Sequence, residues 1–114
     1  MAEERINPIR LRFENEREYV LEFSAQTVSE AERAGVTIES ITKMPMTMIP
    51  LFFFYAFKMH HPTISKKKTD EILRNDLGGL SEAIQERLVD LYLAPMGELV
   101  GDESPKNVNM TVEM

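Results

Sequence analysis

The sequence MPMTMIPLFFFYAFKM, residues 44–59, is the most apolar stretch of the chain. Residues 48–57 carry no charge, whereas 28% of the whole chain consists of Asp, Glu, Lys and Arg. Burying a large apolar side chain stabilises a fold by about 1.5–3 kcal/mol, so this stretch must be shielded from water. A helix that is apolar on all sides is normally surrounded by other elements. We therefore predict a central core helix here.

The bounds of this helix follow from a threonine and two prolines. Thr47 is predicted as the N-cap, because its hydroxyl can accept a hydrogen bond from an N–H group of the first turn. Pro50 would then lie in the first turn, where a missing N–H costs little. Pro62 disfavours the α conformation at the residue before it, so the helix should end near His60.

A β-hairpin is predicted over residues 9–23. Residues 9–13 read IRLRF, which alternates apolar and charged side chains, and residues 18–23 read EYVLEF, which places Tyr19, Leu21 and Phe23 on one face. This alternation is typical of strands with one buried face. Residues 14–17 can form the turn between them. Two strands alone are marginally stable in water, so one face should pack on helices or pair with another subunit.

Further helices are indicated by serines that can act as N-caps and by glycines that can end a helix. The predicted N-caps are Ser24, Ser65 and Ser81, and the predicted ends are Gly35, Gly78-Gly79 and Pro95. Residues 36–43 are predicted as a connector with one helical turn opened by Thr37. The expected fold class is therefore α+β, mainly α, with an amino-terminal hairpin and about four helices around the central one.

The chain length of 114 residues fits a single domain. We expect one globular domain over residues 1–100, made of the hairpin at 9–23 and a helical part at 24–100. The polar segment 101–114 is expected to be a mobile tail.

Composition excludes several classes of function. The chain has no cysteine, which excludes disulfides and thiolate metal sites, and a cytosolic protein is the simplest interpretation. A net charge of −6 argues against nucleic acid and anionic membranes as partners, because both attract positive fields. The uncharged run at 48–57 is shorter than the ~20 residues that cross a bilayer, so no membrane span is expected.

No catalytic, cofactor or metal site is predicted, and an enzyme is not expected. The histidines are the adjacent His60 and His61, which cannot chelate one ion in the i, i+4 manner. We expect them to favour the negative end of a helix dipole. The run Lys66-Lys67-Lys68 is interpreted as a solvated face, with the acidic hairpin edge of a neighbouring copy as an alternative partner.

One stripe of the central helix is predicted to contact a client or another subunit. At 100° per residue, Thr47, Leu51, Phe54 and Lys58 share a face whose polar ends point to solvent. The predicted contact residues are Met48, Leu51, Phe54, Tyr55 and Lys58. An exposed apolar patch of this kind usually marks an interface, and methionines adapt to irregular apolar surfaces. The alternative is that the stripe only fills the core.

The order of these motifs resembles the tail assembly chaperones of long-tailed phages and prophages of Gram-positive bacteria. The blocks that carry the resemblance are YVLEFS at 19–24, AG at 34–35, MPMTMIPLFFFYAFKMHH at 44–61, ISKKKTDEILRNDLGG at 64–79 and LVDLYLAPM at 88–96. The middle block, in which a proline-started aromatic helix ends in His-His, is the most specific of them.

The resemblance implies an α-rich protein without catalytic residues or cofactors that coats the tape measure protein during tail assembly. It further implies a homo-oligomer in the cytoplasm of the infected host, absent from the mature virion, and an extended form that recruits tail tube protein. One alternative is a structural head–tail connector or tail completion subunit. Another is a small DNA-binding regulator acting through residues 66–77, which the net acidity disfavours.

Overall fold

Residues 6–15 and 17–99 are described by the structure, which is a computed structural model. The strands are β1 (Ile9–Arg12) and β2 (Glu18–Leu21), and the helices are α1 (Ala25–Arg33), α2 (Ile38–Lys43), α3 (Pro45–Lys58), α4 (Lys66–Glu71) and α5 (Glu82–Leu93). A π-helical segment, Ile72–Asp76, continues α4, and a 3₁₀ segment, Ala94–Glu98, continues α5. This confirms the predicted fold class, an α+β fold that is mainly α. The predicted tail at 101–114 lies outside the described residues.

The hairpin pairs β1 with β2 in an antiparallel register that sets Ile9 opposite Leu21. Ile9, Leu11 and Leu21 are buried, whereas the arginines between the buried positions of β1 are exposed. The alternation predicted for β1 is confirmed, whereas in β2 the adjacent Tyr19 and Val20 are both half-buried. Both strands are shorter than expected. Just beyond β2, the N–H of Glu22 points away from β1 and donates to the carbonyl of Ala56 in α3, at 2.9 Å.

Helix α3 begins three residues before the position that the sequence predicted. Met44 is its N-cap, without a side-chain hydrogen bond, and Pro45 is its first residue. Pro45 suits this position because its φ is already helical and a first-turn N–H needs no partner. Thr47 is therefore not the N-cap, and Pro50 lies inside the helix rather than in its first turn. The helix ends at Lys58, close to the predicted end.

The central position predicted for this helix is observed. α3 packs against α1, α2, α4 and β2, and its fully or almost fully buried side chains include Phe52, Phe53, Ala56 and Phe57. Phe52 stacks on Phe23, with ring centroids 5.5 Å apart, and meets the edge of Tyr92 at 5.4 Å. Aromatic rings from the hairpin end, α3 and α5 thus form one cluster.

The predicted caps of the shorter helices are also observed. The hydroxyls of Ser24, Thr37, Ser65 and Ser81 each accept a hydrogen bond from an N–H of the first turn. Thr37 opens a full helix, α2, where the sequence indicated a connector with one turn. These capping hydroxyls satisfy backbone donors that would otherwise have no intrahelical partner.

The segment after Ser65 has the predicted extent but not a uniform helix type. Its last part is π-helical, because the N–H of Leu77 donates to the carbonyl of Ile72, five residues earlier, at 2.9 Å. Gly78 and Gly79 then adopt φ values of 67° and 103°, which other residues rarely tolerate. This turn reverses the chain into α5.

A buried hydrogen bond joins α5 to the segment between α1 and α2. The hydroxyl of Tyr92 donates to the carbonyl of Val36 at 2.9 Å. Burial raises the pKa of Tyr92, with a smaller contribution from Glu32, so the hydroxyl keeps its proton at neutral pH.

Replacing Tyr92 with Phe should reduce the free energy of unfolding by about 1–3 kcal/mol, because the Val36 carbonyl is left buried without a partner. Urea unfolding monitored by far-UV circular dichroism measures this loss. Tyr55→Phe is the matched control, since Tyr55 is half-buried and its hydroxyl has no hydrogen bond among the described residues. Equal stability losses in the two variants would contradict the role of this bond.

Candidate functional site

The predicted contact stripe on α3 is less open than the sequence suggested. Leu51, Phe54, Tyr55 and Lys58 are half-buried, so their place at the boundary of the core is observed. Met48 retains only 8% exposure and lies in the core. Of the five predicted contact residues, Met48 is therefore the least accessible. Contact of these residues with a client or subunit stays a prediction.

Neighbouring side chains of the stripe cover one another. The centroids of the Phe54 and Tyr55 rings are 5.1 Å apart. The ammonium nitrogen of Lys58 lies 5.4 Å from the Phe54 centroid. Lys58 also donates to the Pro62 carbonyl at 3.1 Å. Leu51 and Tyr55 pack against the core. The middle of α3 consequently exposes its apolar stripe only in part.

A larger apolar surface lies at the amino-terminal end of α3. A groove of about 430 Å³ separates this end of the helix from the Gly78-Gly79 turn and the start of α5. The side chains that line it are mainly apolar: Pro45, Met46, Ile49, Pro50, Leu73 and Leu80. Met46 is 81% exposed and stands at its edge. We refer to this feature as the Met46 groove.

Polar groups are few in the Met46 groove. Arg74 and Gln85 contribute the polar side chains, and the Gln85 amide donates to the Leu80 carbonyl at 2.9 Å. Pro50 has no N–H, so the carbonyl of Met46 receives no α-helical hydrogen bond from it. The groove therefore suits an apolar side chain or an apolar helix face with one hydrogen-bond donor at its margin.

Sequence reasoning missed this groove because it placed the start of α3 too late. With the start at Pro45, residues Met46, Ile49 and Pro50 are at positions i, i+3 and i+4, which lie on one helix face. The proline at position 45, a favoured first residue of a helix, was the available signal. Leu73 and Leu80 line the groove from outside α3. The sequence does not indicate that these two residues lie close to the start of α3.

A second, polar cleft of about 690 Å³ lies between the hairpin turn and α4. Its charged side chains are Arg12, Arg17, Lys68, Glu14, Glu71 and Asp76. The cationic and anionic groups balance, so the cleft does not select a charged ligand. Within the described part of the chain, no group of three or more metal-ligating side chains is close enough to hold an ion.

The lysine run and the histidines make contacts within the chain. Lys66 forms a salt bridge with Asp70 one turn later, at 3.0 Å, and Lys67 is exposed, as expected of a solvated face.

His60 and His61, just beyond α3, both contact the hairpin. His60 Nε2 lies 2.8 Å from a carboxylate oxygen of Glu22, and His61 Nε2 accepts a hydrogen bond from a backbone N–H of β2. Both histidines therefore hold the hairpin against the end of α3, and their interaction with the helix dipole stays a prediction.

Comparison with protein-family models identifies the family of the chain. The model described as Domain of unknown function (DUF5055) matches residues 1–114. The chain belongs to the DUF5055 family. No curated protein and no solved structure matches this DUF5055 chain. Among the described residues, no helix is long and apolar enough to cross a membrane.

Two adjacent phenylalanines of α3 should differ in their contribution to stability. Phe53 is completely buried and Phe54 is half-buried, so Phe53→Ala should cost about 3–5 kcal/mol and Phe54→Ala less than about 2 kcal/mol. Chemical denaturation of both variants gives the comparison. A loss for Phe54→Ala as large as that for Phe53→Ala would show that the stripe belongs entirely to the core.

Proposed function

We propose that this protein is a phage tail assembly chaperone that binds apolar helical segments of the tape measure protein and keeps them soluble. The sequence resemblance supplies the identity of the client. The observation that carries the proposal is the Met46 groove, a mainly apolar surface that the fold leaves uncovered beside a buried core. An uncovered apolar surface of this kind is typical of a binding site.

The chemistry of the groove fits a helix face better than a polar ligand. Met46 projects from one wall, and its flexible thioether side chain can adapt to apolar residues that differ along a long client. Helices bind in such grooves through residues spaced i, i+3 and i+4. The neighbouring Arg74 can pair with an acidic residue at the edge of a client stripe.

The expected affinity of one groove is low. Burial of one methionine side chain contributes about 1.5–3 kcal/mol, which is less than the about 4 kcal/mol that corresponds to a millimolar dissociation constant. Many copies must therefore act together along one client, and self-association would raise the overall affinity through effective concentration. The half-buried stripe of Leu51, Phe54, Tyr55 and Lys58 is our candidate for contacts between copies.

The net charge of −6 supports the same function. Like charges on empty copies oppose aggregation even though each copy exposes apolar side chains. We propose that the protein acts in the cytoplasm of the infected host, and that an extended form recruits tail tube protein to the coated client.

Co-expression with overlapping fragments of the tape measure protein tests the assignment. At least one otherwise insoluble fragment should become soluble and co-purify with the chaperone. Met46→Glu should abolish this effect, because a carboxylate placed in an apolar contact is costly to desolvate. The variant itself should remain stable, since Met46 is exposed and an acidic residue in the first turn of α3 favours the helix dipole.

Met96→Glu is the matched control for Met46→Glu. Met96 is 49% exposed and lies in the 3₁₀ segment, outside the Met46 groove. This variant should solubilise the client as well as the unmodified protein does. Failure of the unmodified protein with every fragment would refute the assignment, and equal activity of the two variants would exclude the groove as the binding surface.

The protein composition of the mature virion distinguishes the chaperone hypothesis from that of a structural connector. A chaperone should be absent from purified virions, whereas a head–tail connector or tail completion subunit should be present at a fixed copy number. Mass spectrometry of purified particles gives the answer. Detection of this chain at a defined stoichiometry would contradict the proposal.

A further inference from the structure

The outer edge of β2 is closed by the end of α3. Tyr19 is paired with Leu11 of β1, and successive N–H groups of a strand point to opposite sides. The N–H of Val20 therefore points away from β1. That N–H donates to Nε2 of His61 at 3.0 Å. The next outward N–H, of Glu22, donates to the Ala56 carbonyl at 2.9 Å. The hairpin is thus tied to α3 by one imidazole and one backbone carbonyl.

The bond to His61 requires a particular protonation state. A backbone N–H can only donate, so Nε2 of His61 must accept and cannot carry a proton. The imidazole is therefore neutral, with its proton on Nδ1. Protonation at Nε2 would place two N–H groups face to face and break the bond.

We propose that His61 is an acid-sensitive latch that holds the outer edge of β2 against α3 at neutral pH and loosens the hairpin when it is protonated. The latch is a conformational device of the fold and does not depend on the chaperone assignment. It joins residues that are 41 positions apart in the sequence, so its opening affects tertiary contact rather than helix formation.

The groups around His61 favour its neutral form. The ring is half-buried against Tyr19 of β2, with centroids 5.2 Å apart, and near Phe57 of α3. This burial lowers the pKa of His61 below its usual 6.5, and the adjacent His60 lowers it further.

The other charged groups near this end of α3 have partners of their own. The Glu22 carboxylate is bound by His60, and the Lys58 ammonium donates to the Pro62 carbonyl. The Arg17 guanidinium lies over the Tyr19 ring, 5.4 Å from its centroid. None of these groups supplies a carboxylate to an imidazolium at His61.

The direction of the pH effect follows from linkage. When the hairpin opens, His61 is exposed and regains its usual pKa, so the open state binds a proton more readily than the closed state. Closure is therefore complete above pH 6.5 and weakens as pH falls below that value. Between pH 7.5 and pH 5.5 the population of the open state should rise by up to about tenfold.

Complete release of the hairpin is not expected. Leu21 is fully buried and Ile9 and Leu11 are nearly so, and these contacts do not titrate. Acid should therefore increase transient opening of the hairpin while the helical part remains folded.

Hydrogen exchange of the full chain at pH 7.5 and pH 5.5 tests the latch. After correction for intrinsic exchange, the protection factor of the Val20 amide should fall severalfold, up to about tenfold, at the lower pH. Amides of α5 should keep their protection. An unchanged protection factor at Val20, or an equal loss throughout the chain, would overturn the proposal.

Two glutamine variants assign the effect to one ring. His61→Gln provides a side-chain oxygen that can accept from Val20 but does not titrate, so the protection of Val20 should become insensitive to pH in this range. His60→Gln is the matched control and should retain the pH response. A response that persists in His61→Gln or disappears in His60→Gln would contradict the assignment.

A measurement on the unmodified protein covers the case in which His61→Gln fails to fold. The ¹⁵N chemical shifts of the imidazole should show the Nδ1–H tautomer of His61 at pH 7.5, and its titration should share a midpoint with the Val20 amide shift. The Nε2–H tautomer at pH 7.5 would exclude the latch.

Discussion

The need to bury α3 dictates how the other elements of the fold are arranged. Its aromatic side chains cannot face water, and no single partner helix can cover a helix that is apolar on all sides. α1, α2, α4 and β2 therefore pack around it. The same requirement stabilises the hairpin, since two isolated strands are marginal in water. Here Ile9, Leu11 and Leu21 bury their side chains in the common core.

The two ends of α3 are shielded from water in different ways. At the amino-terminal end, Met44 is the only residue between α2 and α3, so the chain has no loop to fold over the first turn. Met46 is left exposed beside the groove, while Met48, two residues later, is buried. A rigid core thus carries one adaptable apolar side chain, an arrangement that favours weak binding to many related sequences.

At the carboxyl-terminal end, the covering element is the hairpin, and polar groups set its position. An open strand edge presents unpaired backbone donors and acceptors and invites pairing with other chains. Here His61 accepts from the outward N–H of Val20, and the carbonyl of Ala56 accepts from that of Glu22, just beyond β2. The histidine pair that supports the family resemblance has this structural role.

The local features of this protein can be predicted from its amino-acid sequence alone. Alternation predicted the hairpin, serine hydroxyls predicted the caps, and an uncharged aromatic run predicted the central helix, because each depends on interactions between residues close in the chain. Which apolar side chains stay exposed depends on how the elements pack. Met44, rather than Thr47, is the N-cap of α3, and Met48 is buried whereas Met46 is exposed. Leu73 and Leu80 approach Met46 from distant positions, and Val20 meets His61 across 41 residues. These contacts depend on how the elements pack, which no local pattern encodes.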